Sequence, residues 1–267
     1  MSKLSGAIYD IRYLDEVASL SSPIHRIHPL VKLLVTIVYI GVVVSFHKYN
    51  LTGIIPMFLY VVGLFILSEV PFKESIKKLR IVLPICCFVG ILNPVFDHQP
   101  LTALWGFTIT GGMISGMTLI IKGFCAVLAS YLLIATTGIE KICFALRILY
   151  IPNILVTQVL LTYRYITLLL SEANHMYQAY SLRAPKQKGV HFKVWGTLLG
   201  QLLFRSIDRA NGLYDSMLLR GYKGEFYFHS VIKFKISDLI YAVCWVGYFY
   251  VVRYTVLLTK LGGIFVR

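Results

Sequence analysis

The sequence predicts an all-α integral membrane protein, with about five transmembrane helices and long amphipathic helices on the cytoplasmic side. Three observations lead there. The 267 residues are 57% hydrophobic and only 14% charged, against about 25% charged in an ordinary soluble domain. Mean hydropathy is +0.73. Several apolar runs approach the ~20 residues that cross a hydrocarbon core, and basic residues are shared unequally among the segments that join them. In a soluble chain a net charge of +14 would suit a nucleic-acid binder. In a membrane chain it marks a basic cytoplasmic face, and no nucleic-acid partner is expected.

Five runs are read as spans: residues 31–46, 51–67, 81–96, a stretch within 113–136, and 239–258. The third holds Pro84 and Pro94, and the fourth carries Lys122. Residues 103–112, "ALWGFTITGG", read as a connector or a re-entrant piece. The N-terminal "MSKLSGAIYDIRYLDEVAS" has no apolar core of signal-peptide length before Asp10 and Asp15.

Charge sets the expected orientation. With the N-terminus inside, segments 1–32, 69–80 and 137–236 hold 21 of the 26 Lys and Arg. Segments 47–50, 97–112 and 259–267 hold 3, and Lys122 and Arg253 lie within spans. The short loops alone give the same answer, with four basic residues in 69–80 and none in 97–112. A span across 151–170 would carry Arg183, Lys186, Lys188 and Lys193 to the wrong side. Residues 154–182 are therefore read as a long amphipathic helix on or below the cytoplasmic face. The expected organisation is a four-span N-terminal membrane region, 1–136, a cytoplasmic helical region, 137–236, and a C-terminal span, 237–267.

The cytoplasmic region carries the most information. One helix is expected from Asn153 to Arg183, started by Pro152 and stopped by Pro185. A second is expected from Trp195 to Arg220, with Gly221 at the left-handed position past its end. Each brings an arginine to its last turn, where the negative end of the helix dipole favours a cation. Leu199, Leu202, Leu203, Ser206, Ala210, Leu213 and Met217 recur at helical spacing along the second helix. Arg205, Asp208, Arg209 and Asp215 lie on or beside its other faces. Residues 140–152 read as a short amphipathic helix and 71–80 as a basic interfacial one, suited to anionic lipid head groups.

Several residues invite chemistry without supporting it. Cys86, Cys87, Cys125, Cys143 and Cys244 lie in apolar runs with no zinc-type spacing. His25 and His28, three apart and downstream of Asp10, Asp15 and Glu16, are read as structural because Pro29 disfavours helix at His28. His98 beside Asp97 is read the same way. Lys122 within a span is either a pathway residue or one that snorkels or contacts a partner, and Arg253 is expected to snorkel. No G-x-x-x-x-G-K-[ST] is present, so ATP hydrolysis is not expected here. No catalytic, cofactor-binding or metal-ligating residue is assigned.

The stretches "SSPIHRIHPLVKLL", "LNPVFDHQPLT", "LTYRYITLLLSEANHMYQAYSLR" and "RSIDRANGLYDSMLLRGYKG" resemble the transmembrane T component of energy-coupling factor transporters, cobalt/nickel-type branch. The resemblance covers nearly the whole chain. It implies a multi-pass protein of the cell membrane that links two cytoplasmic P-loop ATPases to a small membrane subunit that binds cobalt, nickel or a vitamin. It also implies that two Ala-Arg-Gly-type motifs dock in the ATPases. Here they read Leu182-Arg183-Ala184 and Leu219-Arg220-Gly221, so the coupling residues would be Arg183, Ala184, Arg220 and Gly221. The first motif has Ala184 in place of glycine, and His28 replaces the usual Asp before Pro29. Two other readings compete. A lipid or prenyl transferase would need a D-x-x-D-type cluster for magnesium and pyrophosphate. A secondary transporter would show internal repeats around a midplane site. Neither pattern is found.

Overall fold

The computed structural model describes residues 3–20, 22–48, 53–71, 75, 83–96, 100–104, 107–185, 187, 189–224 and 234–265. Among these the helices are α1 (Lys3–Ala18), α2 (Pro29–Ser45), α3 (Phe58–Ser68), α4 (Leu83–Phe96), α5 (Gly111–Thr137), α6 (Ile139–Ile148), α7 (Asn153–Arg183), α8 (Phe192–Leu219) and α9 (Ile236–Phe265). Short 3-10 turns occupy Pro23–Arg26 and Ile55–Met57. The protein is an all-α membrane protein apart from one antiparallel ribbon, β1 (Pro100–Leu104) and β2 (Phe107–Thr110). That ribbon replaces the connector or re-entrant piece expected at 103–112. Leu104 sits opposite Phe107, and Thr102 opposite Ile109. The β-branched and aromatic content of "FTIT" favours extended backbone.

Among the described residues, three helices are long and apolar enough to cross a membrane: α5, α7, and residues Ile236–Thr255 of α9. Two shorter apolar stretches are Pro29–Ser45 and Ile55–Ser68. The second expected span is thus a 3-10 turn at Pro56 followed by an 11-residue helix. Proline has no N–H for the preceding turn, so regular α-helix begins only beyond it. The third expected span is the 14-residue α4. Length and composition alone put α7 among the spanning candidates, whereas the charge count argued for the cytoplasmic side. The basic stretch 71–80, apart from Pro71 and Ser75, and the pair Asp97–His98 lie outside the described residues.

Contacts divide the chain into two units. One comprises Val17–Gly138 with Ile232–Arg267, the other Met1–Glu16 with Ile139–Val231. The core of the first is an aromatic cluster. Tyr39 of α2 and Tyr60 of α3 lie 4.5 Å apart, ring centre to ring centre. Phe249 of α9 packs 5.4 Å from Tyr39 and 5.2 Å from Tyr60. Trp245 meets Tyr60 edge-on at 4.9 Å. These geometries match the ring quadrupole's preference for tilted and T-shaped pairs. The phenols keep their polar ends paired: Tyr39 donates to the Met57 carbonyl at 3.2 Å, and Tyr60 shares a hydrogen bond with Thr36. Close helix approach depends on glycine. A Cβ on Gly63 would stand 3.3 Å from the Trp245 ring, and one on Gly90 would stand 2.6 Å from Ile120. Small residues of this kind let membrane helices pack backbone to backbone.

Helix ends in this unit are closed by side chains from distant positions. His28 caps α2, its Nδ1 accepting from the Leu30 N–H at 3.2 Å. It thereby performs the capping that an Asp before Pro29 would perform. Asp238, 1% exposed, accepts from the His28 N–H at 3.0 Å and the Lys235 N–H at 2.8 Å. The second bond is the backward half of a capping box at the start of α9. His25 uses both ring nitrogens: Nδ1 accepts from the Ser22 hydroxyl at 2.6 Å, and Nε2 donates to the Val17 carbonyl at 3.0 Å. Among the described residues no His, Cys, Asp or Glu group is arranged to hold a metal ion.

Three cations cap helix C-termini. Lys32, buried in α2, donates from Nζ to the Thr136 carbonyl at the end of α5, 2.9 Å away. Lys122 of α5 donates to the carbonyls of Val44 and Phe46. Arg253 of α9 donates to the Ser45 carbonyl at 3.2 Å and lies over the Phe46 ring at 4.7 Å. Lys122 therefore serves the end of α2 directly, and Arg253 stays anchored in the same place.

Replacing Asp238 with Ala would strand two buried N–H groups, each worth about 1–3 kcal/mol. The expected outcome is a thermal midpoint lower by roughly 5–10 °C in detergent. Asp238→Asn, which keeps one acceptor oxygen, should lose clearly less. Equal midpoints for all three proteins would show that the carboxylate does not hold these ends.

Candidate coupling surface

Within the second unit, α6, α7 and α8 follow one another, and α7 and α8 run antiparallel. The pairing is visible residue by residue. Glu172 of α7 forms an ion pair with Arg205 of α8. Farther along, Ile166 and Leu161 face the same cavity as Leu213 and Met217. The cavity measures about 520 Å³, and Tyr222 also lines it. A neighbouring one of about 500 Å³ is lined by Arg164 and Leu168 together with Arg220 and Gly221. The exposed Glu172–Arg205 pair contributes only ~0–1 kcal/mol. It fixes register more than it adds stability.

Helix α7 ends where Pro152 and Pro185 require. The Ala184 N–H still reaches the Tyr180 carbonyl at 3.0 Å, and Ala184 leaves helical geometry at φ −129°. The missing glycine of the first motif is thus unneeded, because this end turns without a left-handed residue. Tyr180 holds the following loop: its hydroxyl donates to Gln187 at 2.6 Å. His191 caps α8 by accepting from the Lys193 N–H at 3.4 Å. That cap starts α8 at Phe192, three residues before the expected Trp195.

The end of α8 has a different construction. Gly221, at φ +82°, donates to the Leu218 carbonyl at 2.9 Å, and the Tyr222 N–H reaches Met217 at 3.0 Å. These are the two bonds of a Schellman motif. Tyr222 and Met217 share the cavity wall, which supplies the apolar contact that accompanies this motif.

The four expected coupling residues therefore lie at two helix tips. Arg183 and Arg220 are both exposed, and among the described residues neither side chain has a hydrogen-bond or ion-pair partner. The structure does not bring them together. Arg220 sits beside Arg164 and Leu168 in the middle of α7, while Arg183 ends that helix. At 1.5 Å per residue the two tips are roughly 25–30 Å apart along α7. Beside each arginine is a leucine that sequence reasoning did not single out: Leu182 is 82% exposed and Leu219 is 90% exposed. A leucine in a leucine-rich helix does not announce its face, so only the terminal position next to an arginine was available as a signal.

The faces leading to these tips are bare as well. None of the 28 residues of α8 is buried, and in α7 only Val156 and Thr157 are. Leu199, Leu203 and Phe204 are each more than half exposed. Farther back, Tyr163 donates to Asp15 of the N-terminal segment at 2.6 Å, so Asp15 is already committed. In α6, burial pushes the Cys143 thiol up from its ordinary value, and the Glu140 carboxylate adds to the shift. A thiol held in that way is a packing group rather than a nucleophile.

The sequence profile of the family described as CbiQ, cobalt transport protein, matches residues 20–229. The chain belongs to that family. It is 26% identical over 227 residues to the energy-coupling factor transporter transmembrane protein EcfT of Bacillus subtilis, covering 76% of this chain and 82% of that protein. The EcfT of Listeria innocua is 28% identical over 225 residues, with the same two coverages. An uncharacterised protein of Methanocaldococcus jannaschii is 27% identical over 250 residues, 86% of this chain and 84% of its own length. The matched region contains α7 and α8 with both arginine tips.

Glycine at position 221 is demanded by backbone conformation alone, since no atom lies within 4 Å of a Cβ built there. Gly221→Ala should cost about 1 kcal/mol and speed amide exchange in the last turn of α8 by about fivefold. Gly212→Ala, in the helix interior with open space around it, should slow exchange instead. The same sign for both variants would contradict this account.

Proposed function

We propose that the chain is the T component of an energy-coupling factor importer. In this reading α7 and α8 are coupling helices on the cytoplasmic side, and the N-terminus is cytoplasmic. Arg183 with Ala184 and Arg220 with Gly221 dock into two cytoplasmic P-loop ATPases. A small membrane subunit binds the substrate. Hydrolysis belongs to the ATPases, and this chain catalyses nothing itself. The family's description, cobalt transport protein, favours a divalent metal cation as cargo over a vitamin, with specificity carried by the binding subunit.

One observation carries the reading. Two long helices end in adjacent exposed leucine and arginine residues, and much of the apolar surface of α8, including Leu199, Leu203 and Phe204, is exposed. A buried leucine contributes about 1.5–3 kcal/mol, and a desolvated arginine finds its best partner in a carboxylate. The distance between tips supports two docking partners, since one groove cannot hold both ends. A lipid or prenyl transferase has no support in this geometry, because no acidic cluster occurs among the described residues.

Losing one side of a desolvated Arg–carboxylate contact typically costs ~2–5 kcal/mol. The double variant Arg183→Ala/Arg220→Ala should therefore insert normally yet fail to co-purify with its ATPases. Each single variant should weaken capture by at least about thirtyfold. Leu182→Ser and Leu219→Ser should weaken it less, without altering the arginines. Full substrate uptake by the double arginine variant would refute the proposal.

A further inference from the structure

The membrane unit contains a second feature that the coupling reading does not use. A groove of about 710 Å³ opens between the 3-10 turn at Pro23–Arg26, the end of α3 and the first turns of α9. Its walls are apolar, with Ile27, Leu67, Ile240, Cys244 and Trp245 contributing. Two cations, Arg26 and Lys235, line it too, and both are exposed. Among the described residues no carboxylate lines it. The nearby Asp238 is buried and already accepts two N–H groups. Among the described residues neither Arg26 nor the Lys235 side chain has a partner of opposite charge.

The arrangement is graded along α9. Lys235 immediately precedes the helix, whose residues Ile236–Thr255 are long and apolar enough to span. From Lys235 to Trp245 the helix rises about 15 Å. That is half of a ~30 Å hydrocarbon core, the depth of one leaflet. The positive charges thus stand at the level of a lipid headgroup, and the apolar wall runs one leaflet deep. Trp245 lines the groove and is seated against the aromatic core where Gly63 leaves room for its ring.

We propose that this groove binds an anionic phospholipid. Arg26 and Lys235 hold the phosphate, and one acyl chain lies along Ile240, Cys244 and Trp245. The phosphate complements two cations that have no oppositely charged partner among the described residues, and a chain fills a wall that water cannot wet favourably. A protein partner would need to bring both an apolar wedge and an acidic group to this one place, whereas every anionic lipid already combines them.

Trp245 is the natural probe. The sequence holds three tryptophans, so W105F and W195F leave Trp245 as sole reporter in the full-length protein. That protein is placed in phosphatidylcholine vesicles containing either brominated phosphatidylglycerol or brominated phosphatidylcholine at equal mole fraction. A cation near the membrane surface is worth about fivefold in affinity for an anionic lipid. The expected result is preferential quenching of Trp245 by the brominated anionic lipid, with an apparent preference of roughly twenty- to thirtyfold. The preference should vanish in Arg26→Ala/Lys235→Ala, whose unchanged elution on gel filtration verifies folding. Equal quenching by the two lipids overturns the proposal. So does a preference that survives the double variant, one that inorganic phosphate abolishes, or one that disappears in the assembled transporter because a subunit covers the groove.

Discussion

A helix end in an apolar medium leaves carbonyls and N–H groups with no water to satisfy them, and each such group costs several kcal/mol. In this protein the ends of α2 are where that constraint is felt most. At its N-terminus His28 bonds back to Leu30, and Asp238 takes the His28 N–H. At its C-terminus Lys122 and Arg253 arrive from two other helices to take three successive carbonyls, from Val44 to Phe46. Lys32 in turn leaves α2 to close α5. Because the partners come from α5 and α9, satisfying these ends also fixes which helices are neighbours. The aromatic core of Tyr39, Tyr60, Trp245 and Phe249 then fills the space between helices whose places are already set.

The unit built from α6, α7 and α8 follows the opposite principle. Its ends are closed locally, by Pro152, His191, Ala184 and the Schellman turn at Gly221. Much of its apolar surface is left exposed. A helix of 28 residues with nothing buried is a poor investment for an isolated chain, and packing usually supplies most helical stability. The first unit is held together by its own side chains, whereas the second leaves much of its apolar surface exposed.

How much of this was legible depended on range. The limits of α7 followed from two prolines, and the turn at Gly221 from one glycine after an apolar run, because those signals act over four or five residues. The two arginine tips were legible for the same reason. The work of Asp238 was not, since its partner at His28 lies 210 positions away. Lys122 remained ambiguous because a cation in an apolar run has the same appearance whether it lines a path or closes a helix. His28 was read as a departure from the expected Asp, yet imidazole Nδ1 accepts a backbone N–H as a carboxylate does. The ribbon at Pro100–Thr110 was missed because turn and strand signals sat between two greasy segments and were absorbed into a connector. The exposed Leu182 and Leu219 were hidden by their own abundance.

These two principles together explain how such a chain could transmit force. An element moves its neighbour only if it contacts it differently in two states. It must also keep its own shape while doing so. The tips of α7 and α8 are rigid for local reasons, so a displacement applied at Arg183 or Arg220 passes into a whole helix rather than a frayed end. In the proposed reading, tips roughly 25–30 Å apart would sample two points on a partner assembly, and a change in the distance between those points would act as a torque on the antiparallel pair. A weak, exposed link such as Glu172–Arg205 suits that task, because a strongly locked pair would resist the movement it has to carry.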